Sequence, residues 1–209
     1  MSHDHSSSDG GYEDGYRAVS RFWAPKPGRL VAWLDTCVDW HGLDVLDLGC
    51  GEGTNAAWMS AHGANVRAVE ISNTALEHAR RDYPDSQVDW QLGSVADLRF
   101  PAESFDIIVA YGLLHCLDDD DANQLVGQMQ HWTRSGGFNV IVAFNDRSQD
   151  IARAHPNFEP ALRPHLHYTD QYNGWEILVS TDEDLTETHP HNAIEHTHSM
   201  TRFVARKKP

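Results

Sequence analysis

Three glycines at alternate positions, Gly49, Gly51 and Gly53, follow the apolar run Val45-Leu46-Asp47-Leu48 and lead into Thr54 and a helical pattern. A glycine has no β-carbon, so its backbone takes positive φ without strain and a ligand can rest against it at contact distance. A strand, turn and helix of this kind cradle nucleotide-like ligands. The dinucleotide fingerprint is Gly-x-Gly-x-x-Gly with a pyrophosphate on the helix N-terminus, and this chain departs from it twice. Its third glycine comes one residue early, and Asp47 stands just ahead of the first, where a carboxylate would repel a pyrophosphate. A cationic ligand without phosphate suits that charge.

The elements that must position this turn alternate in the manner of a parallel sheet covered on both faces. Asp44 to Leu48 reads as the first strand, Thr54 as the cap of a helix running to His62, and Asn65 to Val69 as the second strand. Ser72 caps the next helix, whose buried stripe is expected to be Ala75, Leu76, Ala79 and Tyr83. Val88 to Leu92, Phe105 to Ala110 and Phe138 to Phe144 continue the sheet, the last as a buried central strand. Asp118 to Asp121 place four carboxylates at the start of a helix carrying Leu125, Val126, Met129 and Trp132. Negative charge is favourable there against the backbone dipole, so the run reads as a cap rather than a metal site. Gly136 and Gly137 are expected to end that helix. Trp175 to Thr188 returns as Ile194 to Ala205, a hairpin, and Leu30, Val31, Trp33, Leu34 and Val38 give an early helix reaching Trp40.

Composition narrows the partners. The formal net charge is −15 over 209 residues, whereas nucleic-acid binding needs a basic face to replace phosphate counterions. No nucleic-acid partner is expected. The longest nearly apolar stretch, Ile107 to Leu114, is too short to span a bilayer, and no membrane partner is expected; cytoplasm is the default location. Cys37, Cys50 and Cys116 are odd in number and lack Cys-x-x-Cys spacing, so they read as reduced thiols. Residues 1–15 are rich in Ser, His, Asp and Gly and read as a mobile tail before a single domain, 16–209. Tyr12, Tyr16, Phe22 and Trp23 admit a second reading, in which this segment folds over bound cofactor and substrate.

The Asp47-x-Gly49-x-Gly51-x-Gly53 pattern resembles the first motif of class I methyltransferases, which use S-adenosylmethionine, a ligand carrying a sulfonium and an ammonium group. The resemblance implies a Rossmann-like α/β fold with a mostly parallel seven-stranded sheet, helices on both faces and a C-terminal antiparallel hairpin. Asp47, Gly49, Cys50, Gly51 and Gly53 would then cradle the cofactor. Glu70, with Ile71 beside it, closes the second strand about 20 residues on, where an acid accepts the ribose hydroxyls. Asp97 would take the adenine amino group, with Val95 or Ala96 on the ring. Tyr111, Leu114 and His115 would line the edge facing the methyl group.

A narrower resemblance is to the tellurite-resistance methyltransferases of the TehB type. It rests on Gly49-Cys50-Gly51-Glu52-Gly53-Thr54-Asn55, on Met129-Gln130 with Thr133 and Gly136 to Val142, and on Tyr172-Asn173-Gly174-Trp175-Glu176. It covers roughly Leu43 to Lys208 and implies methylation of a small acceptor, with oxyanions of tellurium and selenium as the family's substrates. Glu187-Thr188-His189-Pro190 matches that family's histidine at His189 but not its following arginine, so an oxyanion loses an expected partner.

Three histidine pairs, His165 with His167, His189 with His191, and His196 with His198, are each two apart, and on a strand each pair shares a face. They could hold a metal or supply a base near neutral pH. No carboxylate or cysteine stands at ligand spacing beside a pair, so no metal is assigned. His115 and His189 are the candidate catalytic bases, and Tyr16, Leu114, His196 and His198 the candidate substrate contacts. A soft nucleophile such as a thiolate or a chalcogen anion needs no base, whereas an alcohol, phenol or ammonium does. A non-catalytic cofactor- or metal-binding protein and a nicotinamide dehydrogenase are the competing classes. A homodimer is among the assemblies the sequence allows.

Overall fold

The computed structural model describes residues 12–150, 158–189 and 192–209, with the side chains at 189, 192 and 193 outside the description. Seven strands, β1 (Asp44–Leu48), β2 (Asn65–Glu70), β3 (Asp89–Leu92), β4 (Phe105–Tyr111), β5 (Thr133–Gln149), β6 (Glu176–His189) and β7 (Asn192–Arg206), form one sheet. Their order is β3-β2-β1-β4-β5-β7-β6. β1, β2, β3, β4 and β5 pair in parallel, while β7 runs antiparallel to both β5 and β6. The α/β fold expected from the sequence, with its terminal hairpin, is therefore present. The strand order reverses between β1 and β4, and ligands of such sheets bind outside the carboxyl ends of the strands at that point.

Alternation along each strand divides the core into two layers. Val45, Ile107, Val109 and Val140 pack with Leu30, Val31 and Leu34 of α2 (Arg29–Leu34) and with Ala56 and Met59 of α3 (Thr54–Ala61). Leu46, Leu48, Ile108 and Ile141 face the opposite way, under Leu125, Val126, Met129 and Trp132 of α5 (Asp119–Trp132). α4 (Asn73–Asp82) buries Ala75, Leu76 and Ala79, and Ser72 caps it by accepting from Ala75 N at 3.0 Å. The acid run caps α5 as expected, with Asp118 Oδ1 accepting from Asp121 N at 2.9 Å.

Several local expectations are corrected. α1 (Tyr12–Ala18) begins inside the segment read as a mobile tail, because Tyr16 is buried against Phe22 and Ala75; residues 1–11 lie outside the described residues. α2 stops at Leu34, and Trp40 reaches the core beyond it with its indole N–H on Asp35 Oδ1 at 3.0 Å. Gly53, not Thr54, is the N-cap of α3. Gly136 and Gly137 do not end α5; they lie in β5, where the register against β4 shifts. His165 and His167 stand on a short helix, α6 (His165–Thr169), not on a strand. Two residues apart on a helix is a rotation of about 200°, so they do not share a face.

Candidate active site

The end of β1 and the turn after it build the cradle. Gly49, Gly51 and Gly53 all have positive φ, 65°, 53° and 76°, and the N–H groups of Gly49 and Cys50 donate to Val69 O at 2.9 and 3.1 Å. Glu70 holds the turn from the side. Its Oε2 accepts from Gly51 N at 2.9 Å, and its Oε1 accepts from Ile71 N at 3.0 Å and Ser72 N at 2.9 Å. A cavity of about 310 Å³ opens over Gly49, Cys50, Gly51 and Glu70, at the lower end of the roughly 300–1,000 Å³ usual for ligand clefts. A β-carbon on Gly51 would lie 3.0 Å from Tyr16 Oη and would intrude on this space. Asp47 sits beneath the turn, 1% exposed, with Oδ2 lacking a partner among the described residues. Burial, with the Glu70 charge nearby, pushes its carboxyl up to about 8. A bare glycine backbone, an acidic strand end and a buried carboxyl group fit a cationic nucleoside ligand. Gly53 serves packing instead, since a β-carbon there would overlap the Trp90 ring.

An N-terminal strap closes one side of the cavity. Tyr12, Tyr16, Trp23, Lys26 and Gly28 contribute to its wall. Glu52, 1% exposed, fastens the strap to the glycine turn. Its carboxylate accepts from Phe22 N at 2.9 Å and from Trp23 N at 2.8 Å, and it contacts His78 Nδ1 at 2.8 Å. Arg21 adds an ion pair to Asp82 at 2.7 Å and a hydrogen bond to Tyr83 Oη at 2.7 Å, and Gly28 N donates to Asn55 Oδ1 at 2.8 Å. The second reading of the tail, a cover over the ligand site, is the one this geometry resembles from Tyr12 onward.

The far side is formed by the loop after β4 and by the hairpin. Arg163, 3% exposed, braces that loop through the carbonyls of Leu114 at 2.8 Å and Leu117 at 2.7 Å. His115 lines the cavity and stacks on Phe144 at 4.3 Å. Its Nδ1 accepts from Phe144 N at 3.2 Å, so Nε2 carries the proton and the ring is neutral. Burial, aided by His198 and Arg163, lowers it to about 3. With its lone pair already committed, His115 is a wall of the site rather than a base. Arg202 of β7 also lines the cavity. It pairs with Glu183 at 2.9 Å, yet its buried Nε–H has no partner among the described residues.

Gly49, Cys50, Gly51, Glu70, Tyr111, Tyr16 and His115 thus meet around one cavity, and Asp47, Gly53, Ile71, Val95, Ala96, Asp97, Leu114, His196 and His198 do not line it. Leu114 is wholly buried in the core under α5, which removes it from substrate contact. Val95, Ala96 and Asp97 form a 3-10 turn after β3 with Ala96 and Asp97 exposed. The side chain of His189 and all of His191 lie outside the described residues. Sequence reasoning missed Glu52, Arg202 and Glu187, the last also in the wall.

A family model described as a methyltransferase domain matches residues 45–137, the segment that carries β1 to β4 and the glycine turn. Over those residues, less than half of its length, the chain is similar to methyltransferase domains. It is 36% identical over 148 residues to a ubiquinone biosynthesis O-methyltransferase of Thiobacillus denitrificans, over 64% of this chain and 62% of that one. The first curated relatives it matches are spanned for 44%, 38% and 62% of their lengths. Among solved structures, one described as "Conversion of a Disulfide Bond into a Thioacetal Group during Echinomycin Biosynthesis" superposes with a TM-score of 0.73 at 22% identity, covering 94% of this chain and 91% of that one. TehB from Haemophilus influenzae superposes with a TM-score of 0.71 at 21% identity, covering 87% and 62%. These likenesses show that the α/β fold is shared over most of the chain. No helix among the described residues is long and apolar enough to cross a membrane.

Proposed function

We propose that this methyltransferase methylates a small acceptor that arrives as an anion, a thiolate or a chalcogen oxyanion, and that Arg202 receives its charge. The observation that carries the reading is the Arg202 Nε–H, buried in the cavity wall without an acceptor among the described residues. A buried donor left unmade costs about 1–3 kcal/mol, and a charged one more, which an anionic ligand oxygen or sulfur relieves. It supplies the cation missing after His189.

S-adenosylmethionine, when bound, supplies a methyl group on a positively charged sulfur. Gly49, Cys50 and Gly51 would present main chain to it, and Glu70 would meet its ribose. The strap residues Tyr16 and Trp23 exclude water. What remains for the protein is alignment, worth roughly 7–11 kcal/mol of a barrier when reacting atoms are held in line. With His115 neutral and its Nδ1 occupied, no proton is removed by that ring, so the acceptor must be a nucleophile at working pH. A second reading, an O-methyl acceptor with Glu187 as base, rests on the upward push that burial gives the Glu187 carboxyl and on the likeness to the Thiobacillus O-methyltransferase.

The test begins with cofactor. At a ligand concentration 100 times Kd the native state gains about 2.7 kcal/mol, a rise in Tm of about 5–11 °C for a chain of this size, and Glu70→Ala should abolish most of it. No rise at millimolar S-adenosylmethionine sinks the proposal. His115→Ala should leave the shape of the pH profile for thiol or selenite methylation unchanged between about pH 5 and 8; loss of a limb there would restore the base.

A further inference from the structure

Two histidines and a carboxylate meet where the C-terminal hairpin backs onto the cavity. The antiparallel register sets Glu187 of β6 opposite His196 of β7, and His198, two residues on, shares the face of His196. The two imidazoles are 4.7 Å apart, 2% and 0% exposed. One ligand atom from each of the three residues lies within 4.8 Å of the others. Glu187 reaches the cavity wall.

Hydrogen bonds set the tautomers of both rings. His196 Nδ1 is 2.7 Å from the carbonyl oxygen of Ile194, which only accepts, so Nδ1 carries the hydrogen and Nε2 the lone pair. His198 Nδ1 is 2.9 Å from Gln149 Oε1. The Gln149 amide cannot be turned round, because its Nε2 donates to Asn145 O and Ser199 O, each at 2.7 Å. His198 therefore also donates through Nδ1 and keeps its lone pair on Nε2. Metal-binding histidines are held in this way, with the second ring nitrogen donating to a carbonyl or carboxylate. The charged neighbour is Arg202, already ion-paired with Glu183; Tyr12 and Tyr111 also stand near Glu187, and His115 near His198.

We propose that Glu187, His196 and His198 bind one divalent first-row transition ion of the zinc or iron(II) kind at the cavity wall. Two imidazoles and one carboxylate form a three-ligand set that leaves a coordination position open. Bonds of about 2.0–2.1 Å hold tetrahedral ligand atoms about 3.4 Å apart, so the three atoms need to converge by no more than about 1.4 Å. The site rests on its own geometry. Metal binding would survive failure of the methyl-transfer reading, and that reading would survive loss of the metal. Together they would place two cations, the ion and Arg202, beside the space for the acceptor.

The experiment uses the full chain without an affinity tag, stripped with a chelator and titrated with Co²⁺. The expected result is saturable binding of about one ion per chain at this site, with the visible absorption of a four- or five-coordinate nitrogen and oxygen site, displaced by Zn²⁺. Glu187→Gln and His198→Ala should each weaken it at least about tenfold, whereas His165→Ala with His167→Ala should not change it. X-ray absorption of the zinc-loaded wild-type chain should show two imidazoles in the coordination shell. Absence of saturable binding at micromolar ion, or Co²⁺ binding by Glu187→Gln and His198→Ala equal to wild type, overturns the proposal. If a variant fails to fold, the wild-type absorption spectrum decides, and fewer than two imidazoles overturns it.

Discussion

Replacing Glu52 by Gln separates the strap from the turn it covers. The carboxylate is 1% exposed and accepts from Phe22 N and Trp23 N at 2.9 and 2.8 Å, with His78 Nδ1 at 2.8 Å. A glutamine amide with its oxygen at the Oε2 position still accepts from Phe22 N and Trp23 N, but it has lost the charge and the acceptor that Oε1 offers to Phe22 N and His78. Loss of a hydrogen bond to a charged group is worth about 1.5–3 kcal/mol. If that cost falls on docking of the strap, the equilibrium for its opening rises about 10- to 150-fold, because each 1.4 kcal/mol is a factor of ten. Hydrogen exchange read by mass spectrometry measures this directly. Amides of 16–28 should exchange faster by that factor, while those of β1 and β4, in the sheet centre, slow or quicken only with global stability. Apparent affinity for S-adenosylmethionine should fall with the closed fraction. Exchange of 16–28 that stays within about threefold of wild type, with a lowered Tm, would refute the reasoning and make Glu52 a core residue only.

Asp47→Asn tests the buried carboxyl. Its folded pKa of about 8 lies above the ordinary 3.8, so between those values the unfolded chain has released a proton that the native state still holds. Native stability therefore falls as pH rises through this window, by up to about 1.4 kcal/mol per unit, and levels off above about pH 8. Urea unfolding at pH 5 and pH 8 should show a smaller drop in the Asn variant than in wild type. Gly53→Ala combines a left-handed φ, costing about 1–2 kcal/mol, with overlap on Trp90, costing about 1–3 kcal/mol. Its Tm should fall by about 4–20 °C, while the rise induced by S-adenosylmethionine, read in the same melts, should persist because Gly53 lies outside the cavity.

What was legible in the sequence was local. The apolar runs of Val45 to Leu48 and Phe105 to Ala110, the cap at Ser72 and the glycines of the turn each depend on neighbours a few residues away, and each was found where the pattern put it. The errors came where a local signal met a longer-range demand. Gly136 and Gly137 look like a helix end, yet Gly137 is required because a β-carbon would press on Asp106 O in the neighbouring strand. His115 has the type and place of a base, but its Nδ1 is taken by Phe144 N, 29 residues on.

By itself the sequence determined the glycine turn: a strand, three glycines able to take positive φ, and an acid at the end of the next strand. Those properties are intrinsic to residue type and short spacing. Only the tertiary structure decided what faces the cradle. Glu52 reaches back about 30 residues to the strap, and the pairing of β6 with β7 brings Glu187 beside His196 and His198 and carries Arg202 to the cavity. No spacing rule joins those residues, because the register of two long strands, set by all their pairs together, is what makes them neighbours.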